Sequence, residues 1–214
     1  MAKEKSALFS GEGCSRMLAR YEDTAASARD YVEAKRALQE REQRTSHGLA
    51  PTVGSVDAPV TLVLFSDFTD PECGRASGMA TSLGNLFASR ARLVFRQFPS
   101  PRRPGAHLAA EASLAAHAQG KFWAFHDVVF GNPQAHDRPA LERYARAAGL
   151  DLRRFGKALD QHTYAADVQA DVELGRKLGI GVVPALFANG KSVRVPYGVD
   201  ELARVIEERR ATKR

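Results

Sequence analysis

Residues 60–65, VTLVLF, are apolar at almost every position and rich in valine, the pattern of a strand buried on both faces. A stretch from about Pro71 to Ser89 reads as a helix, and RLVFRQF (92–98) then reads as a second strand. Strand, crossover helix and strand in that order predict a right-handed parallel unit. A helical block follows, roughly residues 105–178. Its parts are the alanine-rich GAHLAAEASLAAHAQG, the aromatic KFWAFHDVVFGN, RPALERYARAAGLDLRRFGKALD divided at Gly149, and YAADVQADVELGRKLGI. Two short strands, ALFAN and KSVRV, separated by Gly-Lys, fit a hairpin. A last amphipathic helix, about Val199 to Arg210, sets Leu202, Val205 and Ile206 on one face. The pattern is βαβ, an all-α insertion, then ββα.

Upstream, residues 15–44 read as one helix with a thin apolar stripe of Leu18, Tyr21, Ala25, Ala28 and Val32. Beyond Val32 it becomes almost wholly charged. It is either an exposed helix packed through its first half or an arm for a dimer or partner contact. Residues 45–59 have the Gly, Pro, Ser and Thr content of a linker. The division expected is residues 1–50 as helical extension and linker, 51–208 as the folded domain, and 209–214 as a frayed end.

Composition narrows this only a little. At 44% hydrophobic and 26% charged residues the chain is an ordinary globular one, and no run of about 18 apolar residues offers membrane insertion. The first residues lack the apolar stretch of a secretory leader. The expectation is a cytoplasmic protein for the chain as it stands, and a periplasmic or extracytoplasmic one if it is a trimmed form of something exported. The net charge of +6 gathers in SRARLVFRQFPSPRRP (89–104) and EERRATKR. Neither carries a nucleic-acid motif, so both read as solvated surface and no nucleic-acid partner is expected.

The two cysteines, Cys14 and Cys73, make no disulfide framework and have no metal-ligand spacing. His107 and His117 could share a helix face, but no third ligand is placed for a metal. His126, inside FWAFHDVVF, reads as a packing histidine, and Asp67 as a satisfier of backbone groups at a strand end. No phosphate-cradling glycine loop or nucleophile elbow occurs, and no cofactor is expected.

Chemistry concentrates in FSDFTDPECGR (65–75). Asp70 is a preferred N-cap residue and Pro71 suits the first helical position. Glu72 and Cys73 then occupy the second and third. Both acids complement the positive helix end, and both disfavour a thiolate on Cys73.

The order of elements, with DAPVTLVLFSDF, LVFRQFP, GKFWAFHDVVF, GLDLRRFGKALD and GVVPALFANGK at their spacings, resembles the DsbA-like thiol–disulfide oxidoreductases. These have a thioredoxin fold with a helical insertion, and the likeness runs from about Ser55 to Glu208. It implies a Cys-x-x-Cys at the first helix, whose first cysteine attacks disulfides and whose second resolves them. Here those four positions are Asp70, Pro71, Glu72 and Cys73. The attacking cysteine is therefore absent, and only the resolving position keeps sulfur. The family's buried carboxylate, six residues before its first cysteine, corresponds to Leu64.

The resemblance further implies that Pro184, in VVPAL, is a cis-proline facing the active-site helix, with the Val183 backbone free to pair with an extended peptide. Two functions follow. One is a redox-degenerate protein that binds peptide or protein partners through Val183, Pro184, Pro71 and Glu72. The other is a monothiol oxidoreductase or isomerase acting through Cys73.

Overall fold

The computed structural model describes residues 44–45 and 48–211. A short antiparallel pair, β1 (Arg44–Thr45) and β2 (Gly48–Leu49), precedes the main sheet. That sheet contains β3 (Thr52–Val53), β4 (Val60–Ser66), β5 (Ala91–Gln97), β6 (Ala185–Ala188) and β7 (Lys191–Val193), in the order β3-β5-β4-β6-β7. β4 runs parallel to β5, with Val60 opposite Ala91 and Ser66 opposite Gln97, and antiparallel to β6.

Every residue of β4 is buried, as its unbroken apolar run requires for a central strand covered on both sides. Strand alternation divides its side chains between two cores. Val60, Leu62 and Leu64 face the larger one with Leu93, Phe95 and the inserted helices. Val63 and Phe65 face the smaller one with Val94, Leu178 and Phe187. Phe65 meets Phe98 and Phe187 edge-on at ring separations of 6.2 and 6.1 Å.

The helix expected over 71–89 is divided. α1 (Pro71–Ala76) stops at Ser77, whose hydroxyl donates to the Gly74 carbonyl at 2.8 Å, and α2 (Gly78–Ser82) runs into a π-helical turn, Leu83–Phe87. A serine competing for backbone carbonyls beside a glycine is a weak point in a helix. The insertion follows the sequence pattern closely: α3 (Ala106–His117), α4 (Phe122–Phe130), α5 (Arg138–Ala147), α6 (Leu152–Asp160) and α7 (Ala165–Lys177). Asp137 and Asp151 cap α5 and α6 through their carboxylates. α8 (Val199–Ala211) closes the larger core with Leu202 and Ile206.

Three readings of the sequence change here. Residues 50–53 are not linker. Ala50 and Pro51 are buried, Thr52–Val53 pairs antiparallel with β5, and the Thr52 carbonyl accepts from the Trp123 indole at 3.1 Å. The hairpin turns at Asn189-Gly190, not Gly-Lys. Both residues have positive φ (48° and 73°), and the Asn189 side chain also accepts from the Thr61 N–H at 2.8 Å.

The basic stretch 89–104 is not wholly solvated surface. Arg92 and Arg96 are buried in β5. Arg92 donates to the Thr61 hydroxyl at 2.9 Å, and Arg96 pairs with Asp171 of α7 at 2.8 Å. Asp171 also accepts from the Gln97 N–H at 2.9 Å, while burial pushes its carboxyl up to about 6 against the pull of Arg96. The expected N-terminal helix and Cys14 lie outside the described residues, apart from Arg44, which stands in a strand.

Candidate functional site

β4 delivers the chain to the start of α1 through a turn held by Asp67. One Asp67 oxygen accepts from the Thr69 N–H at 2.8 Å and the Thr69 hydroxyl at 2.7 Å; the other accepts from the Ser100 N–H at 2.9 Å. Asp67 therefore serves backbone groups, as its place at the strand end suggested. Asp70 then sits in extended backbone and caps α1: its Oδ1 accepts from the Glu72 N–H at 2.8 Å and the Cys73 N–H at 3.2 Å. Pro71 takes the first helical position. The second Asp70 oxygen pairs with Arg103 at 2.8 Å, and Arg103 also donates to the Thr69 carbonyl at 2.7 Å. Arg103 has no counterpart in the sequence reading of the site.

Cys73 lies beneath this start, 1% exposed, with the Asp67 N–H directed at its Sγ at 3.3 Å. Burial pushes its thiol up to about 12. The Asp67 N–H and the Ser66 side chain pull the other way, and the charges of Asp70 and Asp67 add to the rise. Leu64 is 3% exposed in the larger core, so an apolar side chain fills the place six residues before Asp70.

Two clefts flank the helix start, and they differ. On one side, Asp70, the loop Phe98–Arg103, Arg176 at the end of α7 and the loop Ile180–Val183 line an open groove of about 480 Å³. The Val183–Pro184 bond is cis, and Val183 stands just ahead of the β6 ladder, which begins at Ala185. On the other side, Arg75, Met79, Tyr197 and Leu202 line a cleft of about 120 Å³. Glu72 faces this second side: it pairs with Arg75 at 2.9 Å and accepts from the Tyr197 hydroxyl at 3.3 Å, while Arg75 lies over the Tyr197 ring at 4.8 Å.

Of the residues anticipated for binding, Asp70 and Val183 thus share the groove. Pro184 follows directly behind it. Pro71 and Glu72 are exposed on the helix but do not line the groove. The residues missed are Arg102, Arg103 and Arg176. Their signal was positional: a ligand crevice forms outside the carboxyl ends of parallel strands, where the PSPRRP loop follows β5 as the Asp70 turn follows β4.

Histidines contribute packing. His126 is 1% exposed among Phe68, Phe95, Phe122, Trp123 and Phe130. His107 meets Glu111 and His117 meets Phe122, so they do not converge. Among the described residues no group of three His, Cys, Asp or Glu side chains is placed to hold a metal.

A parallel strand feeding a capped helix, a cis-proline loop across the groove and a helical insertion define the thioredoxin class in its DsbA-like form. The chain belongs to the thioredoxin family, whose model, described as thioredoxin, matches residues 46–208. Among solved structures it is similar to a thioredoxin-like oxidoreductase from Silicibacter pomeroyi: 30% identity, TM-score 0.68, covering 77% of this chain and 93% of that one. It is also similar to oxidised BdbD from Bacillus subtilis: 26% identity, TM-score 0.67, covering 76% and 93%. A curated relative from Mycolicibacterium gilvum, named Na(+)/H(+) antiporter NhaA 1, is 35% identical over 157 residues. That match covers 72% of this chain and 25% of the relative, so the chain spans about a quarter of such relatives' length.

Proposed function

We propose that this protein binds extended peptides or protein partners in the groove between Asp70 and the Val183–Pro184 loop, and has lost dithiol exchange. One observation carries the reading. The position of the family's attacking sulfur holds Asp70, which is committed to capping α1 and to Arg103. No side chain there can open a disulfide, because exchange requires a thiolate at the point of attack. The cis-Pro loop and the open groove support retained binding, since an extended segment can add to backbone ahead of β6.

The alternative, monothiol exchange through Cys73, needs an accessible sulfur that ionises near neutral pH. Cys73 is 1% exposed and holds its proton to about 12, which counts against it. The antiporter relatives do not redirect the proposal. No helix among the described residues is long and apolar enough to cross a membrane, and the match covers a quarter of that protein.

The deciding experiment compares the chain as it is with Asp70→Cys in insulin reduction, and with Cys73→Ser in peptide binding. The expected result is background reduction by the unaltered chain, measurable reduction once the second sulfur is restored, and unchanged peptide affinity in Cys73→Ser. Reduction above background by the unaltered chain, or loss of binding in Cys73→Ser, overturns the reading.

A further inference from the structure

We infer that the groove selects extended peptides that carry carboxylates. This rests on the peptide-binding reading above and adds the chemistry of the partner. Three guanidinium groups line the groove, from Arg102, Arg103 and Arg176, against the single carboxylate of Asp70. That carboxylate is already taken by Arg103, whose guanidinium also holds the Thr69 carbonyl. Arg102 and Arg176 are exposed, and among the described residues neither guanidinium has a carboxylate within ion-pairing distance. Among the described residues the groove therefore presents two cations without a paired carboxylate.

Apolar side chains line the same groove: Phe98, Ile180, Val183 and Val182, the last 80% exposed. Its volume of about 480 Å³ falls in the usual range for binding clefts, about 300–1,000 Å³. Backbone available for strand addition, an apolar floor and flanking cations together fit a polypeptide with acidic side chains around an apolar one. They fit a nucleic acid poorly. Single strands need aromatic faces for stacking, and the one aromatic ring lining this groove, Phe98, is half-buried and packed edge-to-face with Phe65.

The test is fluorescence anisotropy on the full chain with two labelled peptides, identical except that Asp and Glu in one are Asn and Gln in the other. The acidic peptide is expected to bind about five- to tenfold tighter at low salt, the scale of two partly exposed ion pairs, with the margin shrinking as salt rises. Arg102→Glu with Arg176→Glu removes the preference for the acidic peptide over the amide one. Arg102→Gln with Arg176→Gln reduces it, and a melting curve on each variant confirms folding.

Equal affinity for the two peptides overturns the selectivity while leaving peptide binding in place. So does a preference that survives charge reversal, or an oligonucleotide that outcompetes the acidic peptide. Failure of both peptides to bind overturns the groove reading itself.

Discussion

The buried floor and the groove-facing rim of this site differ in their chemistry. Beneath α1, Cys73 is sealed from solvent with its proton held by burial. At the rim, facing the groove, stand Asp70 and three arginines, none of which carries sulfur. The sulfur is buried, and the polar groups lining the groove are a carboxylate and guanidiniums. On the proposed reading the groove outlasts the reaction, since Asp70 caps α1 with its own carboxylate and pairs with Arg103.

The most forceful way to break that contrast is to label the sulfur. In a Cys14→Ser background, iodoacetamide should modify native Cys73 at pH 8 at least about 10³-fold more slowly than the unfolded chain, because the thiolate is scarce and the site closed. Labelling within minutes would mean the floor opens. The same burial has a pH signature. The unfolded thiol ionises near 8.5, whereas the folded one keeps its proton to about 12. Between those values the unfolded state binds fewer protons, so stability falls as pH rises. Cys73→Ser should flatten that part of the alkaline slope in denaturant titrations.

A second test acts on the rim. A Cβ on Gly175 would overlap Phe98 Cε2 and lie 2.6 Å from its Cδ2, so Gly175→Ala must displace a ring that lines the groove. Overpacking of this kind costs about 1–3 kcal/mol. Peptide affinity should fall in the same variant while Cys73 stays protected, which separates rim from floor. Unaltered affinity would show that Phe98 is not part of the binding surface.

The smallest effects isolate Asp70. Asp70→Ala removes cap and ion pair, for a loss of about 1–2 kcal/mol, whereas Asp70→Asn keeps a capping oxygen and should cost under about 1 kcal/mol. Chemical denaturation reads both. Equal losses would show that Arg103, not the cap, is what Asp70 serves.

The helix start was legible because Asp-Pro before a helix has a local cause: a side-chain acceptor and a ring that needs no N–H donor. β4 was legible for the same kind of reason, a run too apolar for any exposed face. What stayed hidden depended on contacts distant in sequence. Arg96 looked like one more surface cation in a basic stretch, and its pairing with Asp171, 75 residues away, was not visible there. Thr52–Val53 is too short and polar to announce a strand, and it is one because β5 offers an open edge. In the hairpin the local signal was present and was misassigned by one residue: Asn189 takes the first left-handed position that Gly-Lys was expected to fill.

The tie between Arg96 and Asp171 matters beyond its own burial. Asp171 holds Arg96 with one oxygen and the Gln97 N–H with the other, one residue before Phe98 opens the groove loop. Five residues along the same helix is Arg176, on the opposite wall. A single carboxylate thereby acts as the rivet of a calliper whose jaws are the loop and the helix end. The two jaws are thus joined inside the protein, and a ligand of the proposed groove would meet walls already tied to each other.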